Sequence, residues 1–506
     1  MSFGDVEFAL FLPVALALFW LLPRLWPLPR RAPVQNACLL VLSYTFYASW
    51  SLTLLPLLVA STLVDYALGR FIGARRPEPR APDSPEKRSA QRAVRWALAG
   101  SLLWNLGLLG WFKYVGFFAT ALNQLLGTVG LDMALPVLQF ALPVGISYYT
   151  LIKLSYVFDV YLGRQQPCRD LLTFATFVAF FPQIVAGPIV RSGEMLPQYA
   201  APRALTPKAL RAAALIFLIG YVRKAYVSDI LAQTLVNPVF AQPDQFGALA
   251  HWMGLVGFGL QVYCDFAGYS EMAIGCAGLF GMALPVNFDR PFLSRSLFEF
   301  WRRWHITLNQ WLFDYIYHQL AATRGWFRGR LDVGLMLVFL VSGLWHGAAW
   351  GFVIWGVLHG VGLVVNRRWD VYYRGRCKKD RAWVARRKSR SYALASWALT
   401  QTFFMVTLLP FRAPGWALLS AYAAGMVRNV GHALFEVPGL NTLFGLAMCG
   451  AFLAADHALA FAPFARVGRR FLALPTPVRG LAYGAVVVFL IVFVPAAGGT
   501  FIYAKF

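Results

Sequence analysis

Long apolar runs with few charges follow one another along the chain, and their spacing is that of membrane-spanning helices rather than of soluble amphipathic ones. Phe8 to Leu22, Trp96 to Thr120, Pro136 to Tyr161, Ala212 to Ile230 and the longer Phe246 to Met282 each predict one crossing. Leu394 to Leu409, Leu443 to Phe464 and Leu481 to Val494 predict three more toward the C-terminus. Other runs are too long or too broken for a plain span. Asn36 to Val64 carries no charge and its apolar character continues to Ile72, so one continuous helix would be about 55 Å long against a hydrocarbon core of roughly 30 Å. A break at the polar-aromatic stretch Tyr44 to Ser51 is expected. Val333 to Val365 is uncharged and lies between basic flanks, which predicts a hairpin bending near Ser342 to Gly351. Leu171 to Val190 is interrupted by Pro182, Gly187 and Pro188, which favours a re-entrant segment, tolerated at membrane depth only where it is buried or lines a cavity.

Composition agrees: of 506 residues, 59% are hydrophobic and 13% charged, well below the charged fraction of a soluble globule. The expected fold is all-α and polytopic, with about eleven transmembrane helices plus re-entrant and interfacial ones. One integral-membrane domain over 1–506 is expected, its core at about 96–365 and its C-terminal spans and tail at 391–506.

The net charge of +24 would suggest nucleic acid in a soluble protein, but RNA- and DNA-binding motifs are absent and the basic stretches alternate with apolar runs. Six of them, Arg24 to Arg31, Arg70 to Arg95, Arg191 to Arg211, Asp289 to Arg303, Arg367 to Arg390 and Arg466 to Arg479, outweigh the whole excess and leave the rest slightly acidic. The positive-inside rule puts all six in the cytoplasm and both termini outside. The six cysteines are scattered, with no CxxC and no clustered histidine, which argues against a zinc site or a disulfide framework.

Polar residues inside apolar runs are costly unless paired, so they are candidates for function. His346 sits in Ser342-Gly343-Leu344-Trp345-His346-Gly347, within the bend of the expected hairpin. His305 follows a basic loop in Phe300-Trp301-Arg302-Arg303-Trp304-His305. A helix through it would put Trp301, His305, Leu308 and Leu312 on one face and turn Arg302 and Arg303 toward the cytoplasmic boundary. For His251, His318, His359, His432 and His457 a packing role is preferred. Lys113, Asp159, Asp265 and Glu271 would suit a proton or ion carrier, but the paired repeats common in transporters are missing. No GxSxG elbow, P-loop or HExxH is present. A deep imidazole, a second one nearer the cytoplasm and a dipping segment suit general-base catalysis on a hydroxyl within a membrane tunnel.

These residues fall into an ordered series: Leu142 to Tyr149, Tyr156 to Tyr161, Pro182 to Arg191, Asp265 to Ser270, Asn287 to Phe292, Phe300 to Leu308, Ser342 to Gly347, and Phe411-Arg412-Ala413. The series resembles the membrane-bound O-acyltransferase superfamily, in particular the bacterial branch of the alginate O-acetylation and teichoic acid D-alanylation membrane subunits. Ala267, Glu271 and Cys264 depart from its common residues. The resemblance implies that His346 is catalytic and His305 its partner. It also implies that an acyl group is drawn from the cytoplasm through a tunnel to an acceptor outside. The ending Phe501-Ile502-Tyr503-Ala504-Lys505-Phe506 resembles the FIYxxF tail of this branch and implies Tyr503 as an acyl carrier; an interfacial aromatic anchor is its alternative.

The expectation is therefore an inner-membrane O-acetyltransferase for an exported or cell-surface polysaccharide. Acetyl-CoA would be its donor substrate, with no permanently bound cofactor and no metal. Arg302 and Arg303, with Trp304 and Asn309 beside them, are the candidates for the acetyl-CoA site. A periplasmic acetyltransferase-like protein and the polysaccharide are the expected partners, besides membrane lipid. D-alanyl or another short-acyl transfer, and a proton or substrate transporter, are the alternatives.

Overall fold

The computed structural model describes residues 1–78, 82–131, 135–137, 142–322, 329–413, 415–428, 440–458, 470–471 and 473–493. Among them every regular element is helical. Among the described residues, four stretches, Val6–Leu25, Leu52–Arg75, Pro85–Thr128 and Arg390–Arg412, are long and apolar enough to cross a bilayer on length and composition alone. Leu331–His346 and Trp416–Val427 are shorter apolar helices. The chain divides into two compact units.

The first unit comprises Met1–Phe217, Met272–Pro285 and Gln310–Ile316. Its helices are α1 (Val6–Leu21), α2 (Leu28–Ala48), α3 (Leu55–Arg75), α4 (Pro85–Thr128), α5 (Ile146–Leu162), α6 (Leu171–Ala179), α7 (Ser192–Ala200) and most of α8 (Pro207–Tyr221). The expected break after Tyr44 is present, since α2 ends at Ala48 and α3 begins at Leu55. The segment from Leu171 is also no plain helix. Asp170 caps α6 by accepting from the backbone N–H groups of Leu172 and Thr173 (3.3 and 3.0 Å). The helix stops at Phe180, one more turn forms over Phe181–Ile184, and from Pro188 to Arg191 the chain follows no regular element. Everything from Phe174 to Val190 is buried, as irregular backbone in an apolar setting requires. Gly145 opens α5 at φ +72°, where a Cβ would collide with the Ile184 carbonyl, so the dipping segment packs on backbone that only glycine permits.

Three helices of this unit share a buried polar knot. Asp65 on α3 accepts from Ser101 Oγ (2.6 Å) and Asn105 Nδ2 (2.8 and 2.9 Å) on α4, and pairs with Lys153 on α5 at 3.1 Å. Lys153 also reaches Ser61 on α3. Both charged side chains are fully buried. Asp159 on α5 is ion-paired with Arg164 (3.8 Å), and Arg191 with Asp314 (2.9 Å).

The second unit comprises Leu218–Glu271, Val286–Asn309 and Tyr317–Phe506. Helix α9 (Ala248–Leu279) enters it with residues 248–271; α10 (Leu297–Trp301) and α11 (Ile306–Leu312) flank the second candidate histidine. The expected hairpin is formed by α12 (Leu331–His346) and α13 (Trp350–Lys379), followed by α14 (Arg381–Lys388), α15 (Arg390–Arg412), α16 (Trp416–Arg428), α17 (Leu440–Ala458) and α18 (Thr476–Phe493). Glycines set the closeness of the hairpin. A Cβ at Gly343 would strike the Phe352 carbonyl, one at Gly356 the Phe339 carbonyl, and one at Gly351 the Pro410 carbonyl of α15. The two helices of the hairpin therefore touch backbone to backbone, which holds the end of α12 in place.

The acids expected to suit an ion carrier are all engaged. Asp265 on α9 pairs with Lys224 at 2.7 Å, which also meets Asp229 at 3.1 Å. Glu271 pairs with Arg223 at 3.1 Å, and Arg223 also pairs with Asp456 on α17. Arg223 and Lys224 lie on a wide π-helical turn, Val222–Ser228, directly after α8, which places both cations on the acids of α9.

Candidate active site: two histidines on one indole

The sequence reading put His305 inside a continuous helix, and the structure corrects this. Helix α10 ends at Trp301, α11 begins at Ile306, and His305 stands between them at φ +44°. The supposed common face of Trp301 and His305 does not exist. A left-handed backbone is unfavourable for any residue with a Cβ, so the surroundings have to over-determine it.

They do so through hydrogen bonds. The Arg303 carbonyl accepts from the Asp289 N–H and the Asn287 carbonyl from the Ile306 N–H, each at 2.9 Å, so segments 287–289 and 303–306 lie side by side. Asn309 Nδ2 closes the turn from below by donating to the carbonyls of Trp304 (2.7 Å) and His305 (3.1 Å). Asn287 is the centre: its Oδ1 meets His305 Nδ1 at 3.1 Å, Thr307 Oγ1 at 2.9 Å and the Thr307 N–H at 3.3 Å, while its Nδ2 donates to Ser270 Oγ on α9 at 3.1 Å.

This arrangement fixes the tautomer of His305. The Asn287 atom facing the Thr307 backbone N–H must be the amide oxygen, an acceptor only, so His305 Nδ1 carries the proton and donates it. Nε2 then holds a lone pair. The ring is buried between Phe266 (centroids 4.6 Å apart, edge-on) and Trp345 (5.7 Å), and Nε2 has no hydrogen-bond partner among the described residues.

His346 ends α12, with the chain leaving through Gly347, where a Cβ would enter the Phe352 ring. Its ring is buried against Trp345 (5.1 Å), Trp355 of α13 (5.0 Å) and Phe411 of α15 (5.3 Å). The Trp345 ring therefore touches both imidazoles. The two candidate histidines, 41 positions apart in sequence, meet at one indole in an aromatic enclosure.

The candidates for the acetyl-CoA site separate. Arg302 is exposed at the end of α10, and Arg303 pairs with Glu299 at 3.0 Å. Trp304 is buried among Phe288, Phe300 and Phe404, and Asn309 is spent on the turn beneath His305. These two are engaged within the protein, and Arg302 is the more exposed of the two arginines. Tyr503 and the rest of its motif lie outside the described residues, as does His432. Of the remaining histidines, His251 Nδ1 meets the Gly247 carbonyl (2.9 Å) and His457 Nδ1 that of Leu453 (3.0 Å), both contacts within their own helices.

Sequence reasoning passed over Asn287, Thr307 and Ser270 as functional groups. The available signal was the polar trio Asn287, Asp289 and Arg290, soon after a largely apolar stretch that itself contains Ser270.

Two buried imidazoles thus share one aromatic enclosure, and His305 keeps Nε2 without a hydrogen-bond partner among the described residues. Residues 169–406 match the model of the membrane-bound O-acyltransferase family. The chain is 37% identical to the probable alginate O-acetylase AlgI of Azotobacter vinelandii, over 72% of this chain and 68% of that protein. It is 34% identical to the Pseudomonas syringae pv. tomato protein of the same name (86% and 74% covered) and 31% identical to the peptidoglycan O-acetyltransferase of Helicobacter pylori (85% and 76%). The chain belongs to the membrane-bound O-acyltransferase family, and is a multi-pass membrane acyltransferase.

Proposed function

We propose that this protein moves an acetyl group from cytoplasmic acetyl-CoA across the inner membrane for O-acetylation of an exported or cell-surface polysaccharide. The identity with alginate and peptidoglycan O-acetylating relatives supports the polysaccharide. The observation that carries the chemistry is the junction of His305 and His346 at Trp345, with His305 Nε2 bare. His346, with His305 as its partner, takes the proton of an acceptor hydroxyl as the oxygen attacks the thioester carbonyl. The C–S bond breaks, and the departing thiolate of CoA recovers the proton from the imidazolium. A phenol, with an ordinary pKa near 10, needs such a base at neutral pH. Tyr503, reaching the site from outside, is the first acceptor and passes the acetyl group to a periplasmic partner protein that modifies the sugar. The basic stretches face the cytoplasm and both termini face the periplasm. Arg302 meets the phosphates of the donor.

The relay is tested with purified protein and radiolabelled acetyl-CoA. Label should become covalently attached to the wild-type chain and not to Tyr503→Phe; full polysaccharide acetylation by Tyr503→Phe in cells would replace the relay with direct transfer.

A further inference from the structure

The sequence favours a packing role for His359, and the structure shows what it packs against. It lies one turn beyond Trp355 on α13, fully buried, against Trp355 (4.6 Å), Trp301 (5.0 Å) and Phe403 (5.3 Å). Its ring Nε2 meets Thr407 Oγ1 on α15 at 2.9 Å. Thr407 has a single hydroxyl proton, and Oγ1 lies 2.8 Å from the Phe404 carbonyl, which can only accept. The proton goes there, so His359 Nε2–H is the donor to Thr407 and Nδ1 carries the lone pair. Nδ1 has no partner among the described residues. If packing were the only need, an apolar ring would fill this box without burying a polar nitrogen.

The neighbouring indoles show what the polar anchor supplies. Neither Trp301 Nε1 nor Trp355 Nε1 has a hydrogen-bond partner among the described residues, so packing alone sets the orientation of both rings. The ring held by a hydrogen bond in that group is His359. Trp355 in turn lies against His346 at 5.0 Å and Phe411 at 5.6 Å. The backbone beneath is fixed, because Gly356 is pressed on the Phe339 carbonyl and Gly360 on Met336 of α12. What remains adjustable is the tilt of the rings.

We propose that His359 is a positioning residue for the transfer reaction: anchored by Thr407, it sets the orientation of Trp355 and through it that of the His346 imidazole. This rests on the proposed role of His346 as the base. Misorienting a base lowers turnover without changing how the donor binds.

The test uses the full-length protein in detergent, with kcat and KM for acetyl-CoA measured beside the thermal midpoint. His359→Phe should lower kcat at least tenfold with KM within twofold of wild type. His359→Gln, whose amide can donate to Thr407, should return kcat to within threefold. Thr407→Val should resemble His359→Phe, and the double variant should be no worse than either single one. Wild-type kcat in His359→Phe or Thr407→Val would overturn the proposal. So would a His359→Gln variant as impaired as His359→Phe, or a loss confined to KM. If His359→Phe does not accumulate, Thr407→Val, a near-isosteric change, decides alone. Turnover by His346→Ala would instead sink the underlying reading, whereas an inactive His346→Ala beside an unaffected His359→Phe would sink only this inference.

Discussion

The two units each bury a polar cluster, and they use it differently. Around Asp65 and Lys153, three helices converge on one ion pair; the carboxylate receives Ser101, Asn105 and Lys153, and the ammonium is spent on Asp65 and Ser61. Around His305, a single asparagine oxygen gathers three contacts, yet the imidazole keeps Nε2 without a partner among the described residues. In the first arrangement the two charges are spent on each other and on their neighbours. The second holds an imidazole in a fixed tautomer, with its lone pair on Nε2. Burial alone does not mark a functional site in such a protein.

Substitutions can break this contrast. Asp65→Ala strands a buried ammonium and should cost about 3–5 kcal/mol, read as a loss of folded protein in membranes. The double change Asp65→Leu with Lys153→Met removes both charges and should recover most of that loss, with acyl transfer intact. If Asp65→Ala kept its stability but lost turnover, the knot would belong to the chemistry. A smaller effect, and of the opposite kind, is expected at Asn287. Asn287→Ala frees the His305 tautomer, and kcat should fall on the order of a hundredfold while the protein still folds. Unchanged turnover would remove His305 from the account. Arg302→Gln is expected to do least: KM for acetyl-CoA should rise about two- to fivefold at low ionic strength and less at high salt, since an exposed cation is screened. An unaltered KM at low salt would take Arg302 out of the donor site.

Much of this was legible before any coordinates. The uncharged hairpin around His346 followed from its flanking charges, and the broken segment after Leu171 from its prolines and glycine, because both are local properties of the chain. The convergence at Trp345 was not, since it joins two segments about forty residues apart in sequence. The left-handed conformation of His305 was hidden for a related reason. Trp301 to Leu312 has a good helical pattern, and only the long-range bonds from Asn287 and the closure by Asn309 hold it open at 302–305. Asp65 was missed because one carboxylate in a long apolar run reads as a minor interruption until Lys153, 88 positions later, is found beside it.

The central claim is that the two enclosed imidazoles, His305 and His346, perform the transfer. Acetyl transfer from radiolabelled acetyl-CoA, measured with equal amounts of detergent-purified wild-type protein and His346→Ala of matching thermal midpoint, addresses it most directly. The account predicts that His346→Ala transfers no label above background. Transfer at the wild-type rate by that variant would contradict it.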